Sequence, residues 1–147
     1  MTLELARPQP QPVAPPVPPI SVRDIWPQDA HAWVEEGKAV LVDVRTAEER
    51  KSIGYVPGSV HVAWQTGPHL LRNPTFLKEL RSKVGSDAVI LFICRSGKRS
   101  ADAAAAAAKA GFGRIYNVLE GIEGDPDSSG ARNTVNGWRF HGLPLSQ

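Results

Sequence analysis

Short apolar runs recur along the chain, and between them lie stretches whose apolar residues fall at helical spacing. "AVLVDVR" (39–45), "AVILFI" (88–93) and "RIYNVL" (114–119) are brief, continuous and rich in β-branched residues, the pattern of strands covered on both faces. "GSVHVAW" (58–64) reads as a further strand after a Pro-Gly turn. The intervening segments read as helices. In "WPQDAHAWVEEGK" (26–38), Pro27 suits a first turn, Ala30, Trp33 and Val34 share a face, and Gly37 ends the run. "TAEERKSIG" is a polar helical turn. In "NPTFLKELRSKVG" (73–85), Phe76, Leu77, Leu80 and Val84 are spaced to meet a core. "GKRSADAAAAAAKAGF" (97–112) is helical by propensity, because alanine is the best helix former. Strands alternating with helices predict an α/β fold, with a mostly parallel sheet covered on both faces. Sites in such sheets form at the carboxyl ends of the strands.

The first nineteen residues break this pattern. They carry Pro8, Pro10, Pro12, Pro15, Pro16, Pro18 and Pro19. Proline lacks a backbone donor and fixes φ, so a tail at 1–19, extended or laid along a surface, is expected ahead of a single domain at 20–147. The tail has neither the basic start nor the continuous apolar core of a secretory signal. The remaining composition is ordinary for a globular chain. A net charge of +2 gives no reason to expect a nucleic-acid or anionic-membrane partner, and no apolar run is long enough to span a bilayer. One cysteine cannot form an internal disulfide, which points to a reducing compartment and a cytoplasmic location. No oligomeric state follows from the sequence.

That cysteine lies in "LFICRSGKRSADAAAAAAKAGF" (91–112), at the carboxyl end of the most apolar strand. Arg95, Lys98 and Arg99 follow within five residues. A strand turning sharply into a helix leaves amide donors unpaired, and these make an anion site in front of the loop. The helix dipole and nearby cations favour the thiolate, which is the nucleophilic form. Ser96 and Gly97 allow a tight turn. A buried structural thiol is a common fate for free cysteine, but three cations crowded around a core thiol would be costly unless an anion visits. Phosphatases built on a cysteinyl-phosphate loop place arginine six positions after the cysteine. Here that position is Ser100, and Arg99 comes one residue early. The tighter loop suits a sulfur atom carried on Cys94 better than a phosphoryl group.

"CRSGKRS" (94–100) resembles the active-site loop of the rhodanese-like sulfurtransferases, and the resemblance extends over nearly all of 20–145. "LVDVRTAEER" is similar to the family's aspartate-valine-arginine segment. "GYVPGSVHVAW" is similar to its proline-glycine turn, with Tyr55 where histidine is usual. "YNVLEG" and "NGWRFHGLPL" are similar to its final strand and ending. The resemblance implies a parallel sheet of about five strands and a persulfide mechanism. Cys94 is then the catalytic residue, with Arg95, Ser96, Gly97, Lys98, Arg99 and Ser100 forming the substrate-binding loop. Asp43 and Arg45 are implied as a supporting ion pair. A small anionic donor such as thiosulfate supplies the sulfur, and no metal or organic cofactor is required. With no second cysteine to resolve the persulfide, an external thiol or protein must accept the sulfur. A catalytically idle binding module on the same fold is the alternative, and a cysteine-dependent phosphatase or arsenate reductase is a weaker one.

Other residues add less. The four histidines have no ligand spacing, and His61 reads as a satisfied side chain within a strand. Trp64 is placed as a candidate wall of the pocket. At 121–138 the chain carries about a dozen residues more than the compact family pattern, a loop expected to gate the site or select a partner. Asp125, Asp127, Ser129 and Gly130 are spaced like the start of a calcium loop, but Asn136 stands where glutamate is needed, so no metal is expected.

Overall fold

A computed structural model describes residues 22–147; the expected tail at 1–19 lies outside the described residues. Five strands form a wholly parallel sheet: β1 (Val22–Ile25), β2 (Val40–Asp43), β3 (Val60–His61), β6 (Val89–Ile93) and β7 (Arg114–Val118), in the spatial order β1-β7-β6-β2-β3. β4 (Gln65–Thr66) and β5 (Leu71–Arg72) pair as a separate antiparallel hairpin. The helices are α1 (Pro27–Glu35), α2 (Ala47–Ile53), α3 (Phe76–Lys83) and α4 (Lys98–Lys109).

The period of the strands decides what each face buries. Along β6, Ile90 and Phe92 face the layer formed by α3 and α4, where Phe76, Leu80, Ala103, Ala104 and Ala107 are buried. Leu91 and Ile93 face the opposite layer, with Ala30 of α1, Ile122 and Trp138. Cys94 continues the first series and joins the α4 side. The alanines of α4 bring its backbone close to the sheet, because a methyl group is all that stands between them. The strand expected to be central is central: β6 has β7 on one side and β2 on the other.

Two expected elements differ. The strand expected over 58–64 is paired as a strand only at Val60–His61, although the amides of Val62 and Trp64 still donate to Asp43 and Val44. Beyond that point the chain leaves the sheet edge to form the hairpin. Neither the hairpin nor β1 was expected. β1 carries exposed Arg23 and Asp24 in mid-strand, so it lacks the apolar run that marks the buried strands.

Candidate active site

The strand–helix junction after β6 is held by its own short side chains. Gly97 caps α4 at φ +106°, a conformation that favours glycine, and no side chain caps this helix. The turn brings the Gly97 amide to Cys94, where it donates to Sγ at 3.1 Å. Ser100, three residues on and fully buried, places Oγ 3.2 Å from the same sulfur. Cys94 is buried to 1% exposure. Its surroundings combine the apolar face of α4 with two polar atoms within hydrogen-bond distance of the sulfur.

The three loop cations do not make a uniform ring. Arg99 gives both ends of its guanidinium to Glu49 of α2, at 2.7 and 2.8 Å. Lys98 is exposed on the first turn of α4. Arg95 is exposed and makes no ion pair among the described residues. Ser96 is half-buried. The sequence reading missed Glu49, though its spacing carried a signal. Thr46 and Glu49 form a capping box at the start of α2, and the same carboxylate that caps the helix receives Arg99. Burial pushes Glu49 up, but hydrogen bonds from Arg99 and Thr46 outweigh it and hold the carboxyl at about 2. The pairing holds the Arg99 guanidinium above its ordinary value against the pull of burial.

A cavity of about 520 Å³ lies above the loop. Thr46, Glu48 and Glu49 line it from the start of α2, Pro68 and Leu70 from the turn of the β4–β5 hairpin, and Arg95 and Arg99 from the cysteine loop. Cys94 itself does not line it. Trp64, expected as a pocket wall, is instead buried against Phe76 with ring centroids 5.0 Å apart, and the Arg72 guanidinium lies 3.7 Å over its ring. Leu70, at the hairpin turn and 46% exposed, is the apolar wall that sequence reasoning missed.

Asp43 and Arg45 do pair, fully buried, at 2.8 Å. Arg45 also donates to the Gly54 carbonyl, and Arg50 adds a second cation on Asp43 at 3.0 Å. This cluster ties the end of β2 to α2, the helix that carries Glu49. His61 takes the expected satisfied role, with Nε2 2.7 Å from the Arg45 carbonyl.

The 121–138 loop is tied to the cysteine loop through backbone. The Ile122 and Glu123 amides donate to the Cys94 and Arg95 carbonyls at 2.8 and 2.9 Å. Gly121 packs so closely on those carbonyls, at φ +68°, that a Cβ there would collide with them. Further out, the Asp127 carboxylate accepts from Ser129, Ala131 and Thr134, bonds that hold it well below the usual carboxylate range. It serves the local turn, and no cluster suited to a metal ion occurs among the described residues.

A family model for the rhodanese-like domain matches residues 27–125. The chain belongs to the rhodanese-like family. Among relatives, RC0915 of Rickettsia conorii, an uncharacterized protein, is 33% identical over 132 residues, covering 85% of this chain and 98% of its own. The thiosulfate sulfurtransferase GlpE of Pseudomonas savastanoi is 35% identical over 99 residues, covering 67% of this chain and 82% of its own. The crystal structure of Rv0390 from M. tuberculosis superposes with a TM-score of 0.77 at 38% identity, covering 87% of this chain and 98% of that one. The parallel rhodanese-like fold expected from the sequence is therefore the fold observed. No helix among the described residues is long and apolar enough to cross a membrane.

Proposed function

We propose that this chain is a sulfurtransferase that carries a sulfane sulfur as a persulfide on Cys94. The observation that carries the proposal is the convergence of the Gly97 amide and Ser100 hydroxyl on one buried sulfur, in a loop whose Arg95 and Arg99 rim a cavity. In the loading step the Cys94 thiolate attacks the outer sulfur of thiosulfate. A sulfur–sulfur bond forms to Sγ, the donor's sulfur–sulfur bond breaks, and sulfite leaves with the electron pair. In discharge, cyanide, a thiol or a protein thiol attacks the outer sulfur, and the pair from the breaking bond returns to Sγ. Arg95 supplies a cation for the incoming dianion, and loop amides steady the charge on the outer sulfur. The similarity to a named thiosulfate sulfurtransferase supports the same reading. The lone thiol suits a reducing compartment such as the cytoplasm.

A phosphatase reading is weaker. The loop is one residue short of the phosphate-binding length, and the Arg99 fork is already engaged with Glu49.

The test is intact mass after thiosulfate treatment. The protein is expected to gain one sulfur, about 32 Da, and to lose it on adding cyanide, as covalent catalysis at one nucleophile requires. Cys94→Ser is expected to gain nothing and transfer nothing. A wild-type protein that takes no sulfur from thiosulfate or polysulfide would return the fold to a binding role.

A further inference from the structure

Behind Ser100 stands a residue that the mechanism above does not use. Asn117, on β7 and buried, accepts from the Ser100 hydroxyl through Oδ1 at 2.6 Å. Its Nδ2 donates to the Gly97 carbonyl at 3.2 Å. That carbonyl can only accept, so it fixes which way the amide points: the opposite orientation would set two acceptors against each other. Ser100 has one hydrogen, and the short bond to Asn117 takes it. The 3.2 Å contact between Ser100 Oγ and Cys94 Sγ therefore presents an oxygen lone pair to the sulfur. This suits a sulfur that carries a hydrogen to donate; against a persulfide's inner sulfur, which carries neither a hydrogen nor formal charge, the oxygen makes only a van der Waals contact. It opposes a sulfur that carries negative charge.

We propose that Asn117 is a positioning residue for sulfur transfer, one that competes with Cys94 for the Ser100 hydrogen. The inference rests on the persulfide reading. While the persulfide stands, the Ser100 hydrogen lies on Asn117. When an acceptor takes the outer sulfur, the bond to Sγ breaks and the electron pair stays on Sγ. The Ser100 hydroxyl then turns to donate to the new thiolate, and its bond to Asn117 is forfeited. Asn117 thus slows discharge, and its bond to the Gly97 carbonyl serves to hold the amide in the orientation that takes the Ser100 hydrogen.

The two roles predict opposite signs. A residue that only supports the loop would slow discharge when removed. A competitor for the hydrogen would speed it, because Ser100 no longer has a bond to give up. Protein loaded with thiosulfate and freed of excess donor is mixed with cyanide, and loss of the added mass is followed by rapid quench at one pH. Asn117→Ala is expected to discharge about fivefold faster than wild type, the worth of one neutral hydrogen bond. Ser100→Ala is expected to discharge about tenfold slower, because the developing thiolate loses a donor. In the double variant, removal of Asn117 is expected to have no further accelerating effect, since it acts through Ser100.

Slower discharge in Asn117→Ala, or the same acceleration with and without Ser100, overturns the proposal. Should Asn117→Ala fail to fold, Ser100→Ala decides alone: unchanged discharge there removes the donor on which the competition depends. Failure of wild-type protein to load sulfur would sink the persulfide reading instead, and this is seen before any variant is compared.

Discussion

Glu49→Gln tests whether one carboxylate both caps α2 and clamps the cysteine loop. The substitution keeps size and one acceptor, but it sets an amide donor against the Arg99 nitrogen that Glu49 Oε2 accepts from at 2.8 Å. A carboxyl held at about 2 rather than 4.5 corresponds to roughly 3 kcal/mol in favour of the ionised form. The Glu49 and Arg99 side chains are 24% and 18% exposed, so solvent screening reduces the net contribution to about 1–2 kcal/mol. Because the folded-state value lies below the unfolded one, this stability is fully present above pH 4.5 and is lost as pH falls toward about 2. Urea denaturation of both proteins is therefore expected to show wild type more stable by about 1–2 kcal/mol near neutral pH, with the gap closing through the acid range. A gap that stays constant with pH, or is absent at neutral pH, would refute the clamp. Arg99→Ala provides the contrast. It leaves the Glu49 charge unpaired on the wall of the cavity that, on the proposed function, admits a dianion. It is expected to raise the KM for thiosulfate more than Glu49→Gln does, since a like charge now faces the substrate.

Arg95→Ala is expected to raise the KM for thiosulfate several-fold with little change in kcat, because an exposed cation at the rim offers uniform binding. Moderate salt should mimic this variant, since an exposed charge is readily screened, and steady-state kinetics at two ionic strengths would show it. Gly97→Ala is expected to cost about 1–2 kcal/mol of stability, because alanine is strained at φ +106°. It should also lower kcat by displacing the amide that contacts Sγ, so a variant with normal stability and kcat would contradict the assigned turn.

Cys94 and its loop were legible as a candidate site because they are contiguous: strand, cysteine, glycine and helix follow one another within a few residues. The central strand was legible for a similar reason, as its residues are apolar on both faces. What the sequence reading missed lies far along the chain or lacks a period. Glu49 meets Arg99 across fifty positions and Asn117 meets Ser100 across seventeen, and no local pattern links either pair. The cation ring was over-read for the same reason. Three charges near one thiol in sequence look additive until a distant carboxylate takes Arg99 and solvent takes Arg95 and Lys98. β1 was missed because an edge strand can be polar at mid-strand, and the β4–β5 hairpin because two-residue strands carry no alternation to detect.

The 121–138 loop sits beside the cysteine loop with both of its ends fixed by backbone bonds. Its entry is bound to the cysteine loop by the Ile122 and Glu123 amides, and its exit is bound back onto that entry: the Trp138 amide donates to Gly121 at 2.8 Å, and the Arg139 amide to Ile122 at 3.1 Å. Trp138 is fully buried against the α1 side of the sheet and donates its indole hydrogen to the Pro144 carbonyl at 2.8 Å. The two ends are therefore held together by the core, whatever lies between them. Closing a longer loop between ends already in contact costs little, since the entropy grows only with the logarithm of length. Substitutions among Asp125–Asn136 should be tolerated by the cysteine loop. A side chain at Gly121 should not be, because that glycine packs directly on the Cys94 and Arg95 backbone.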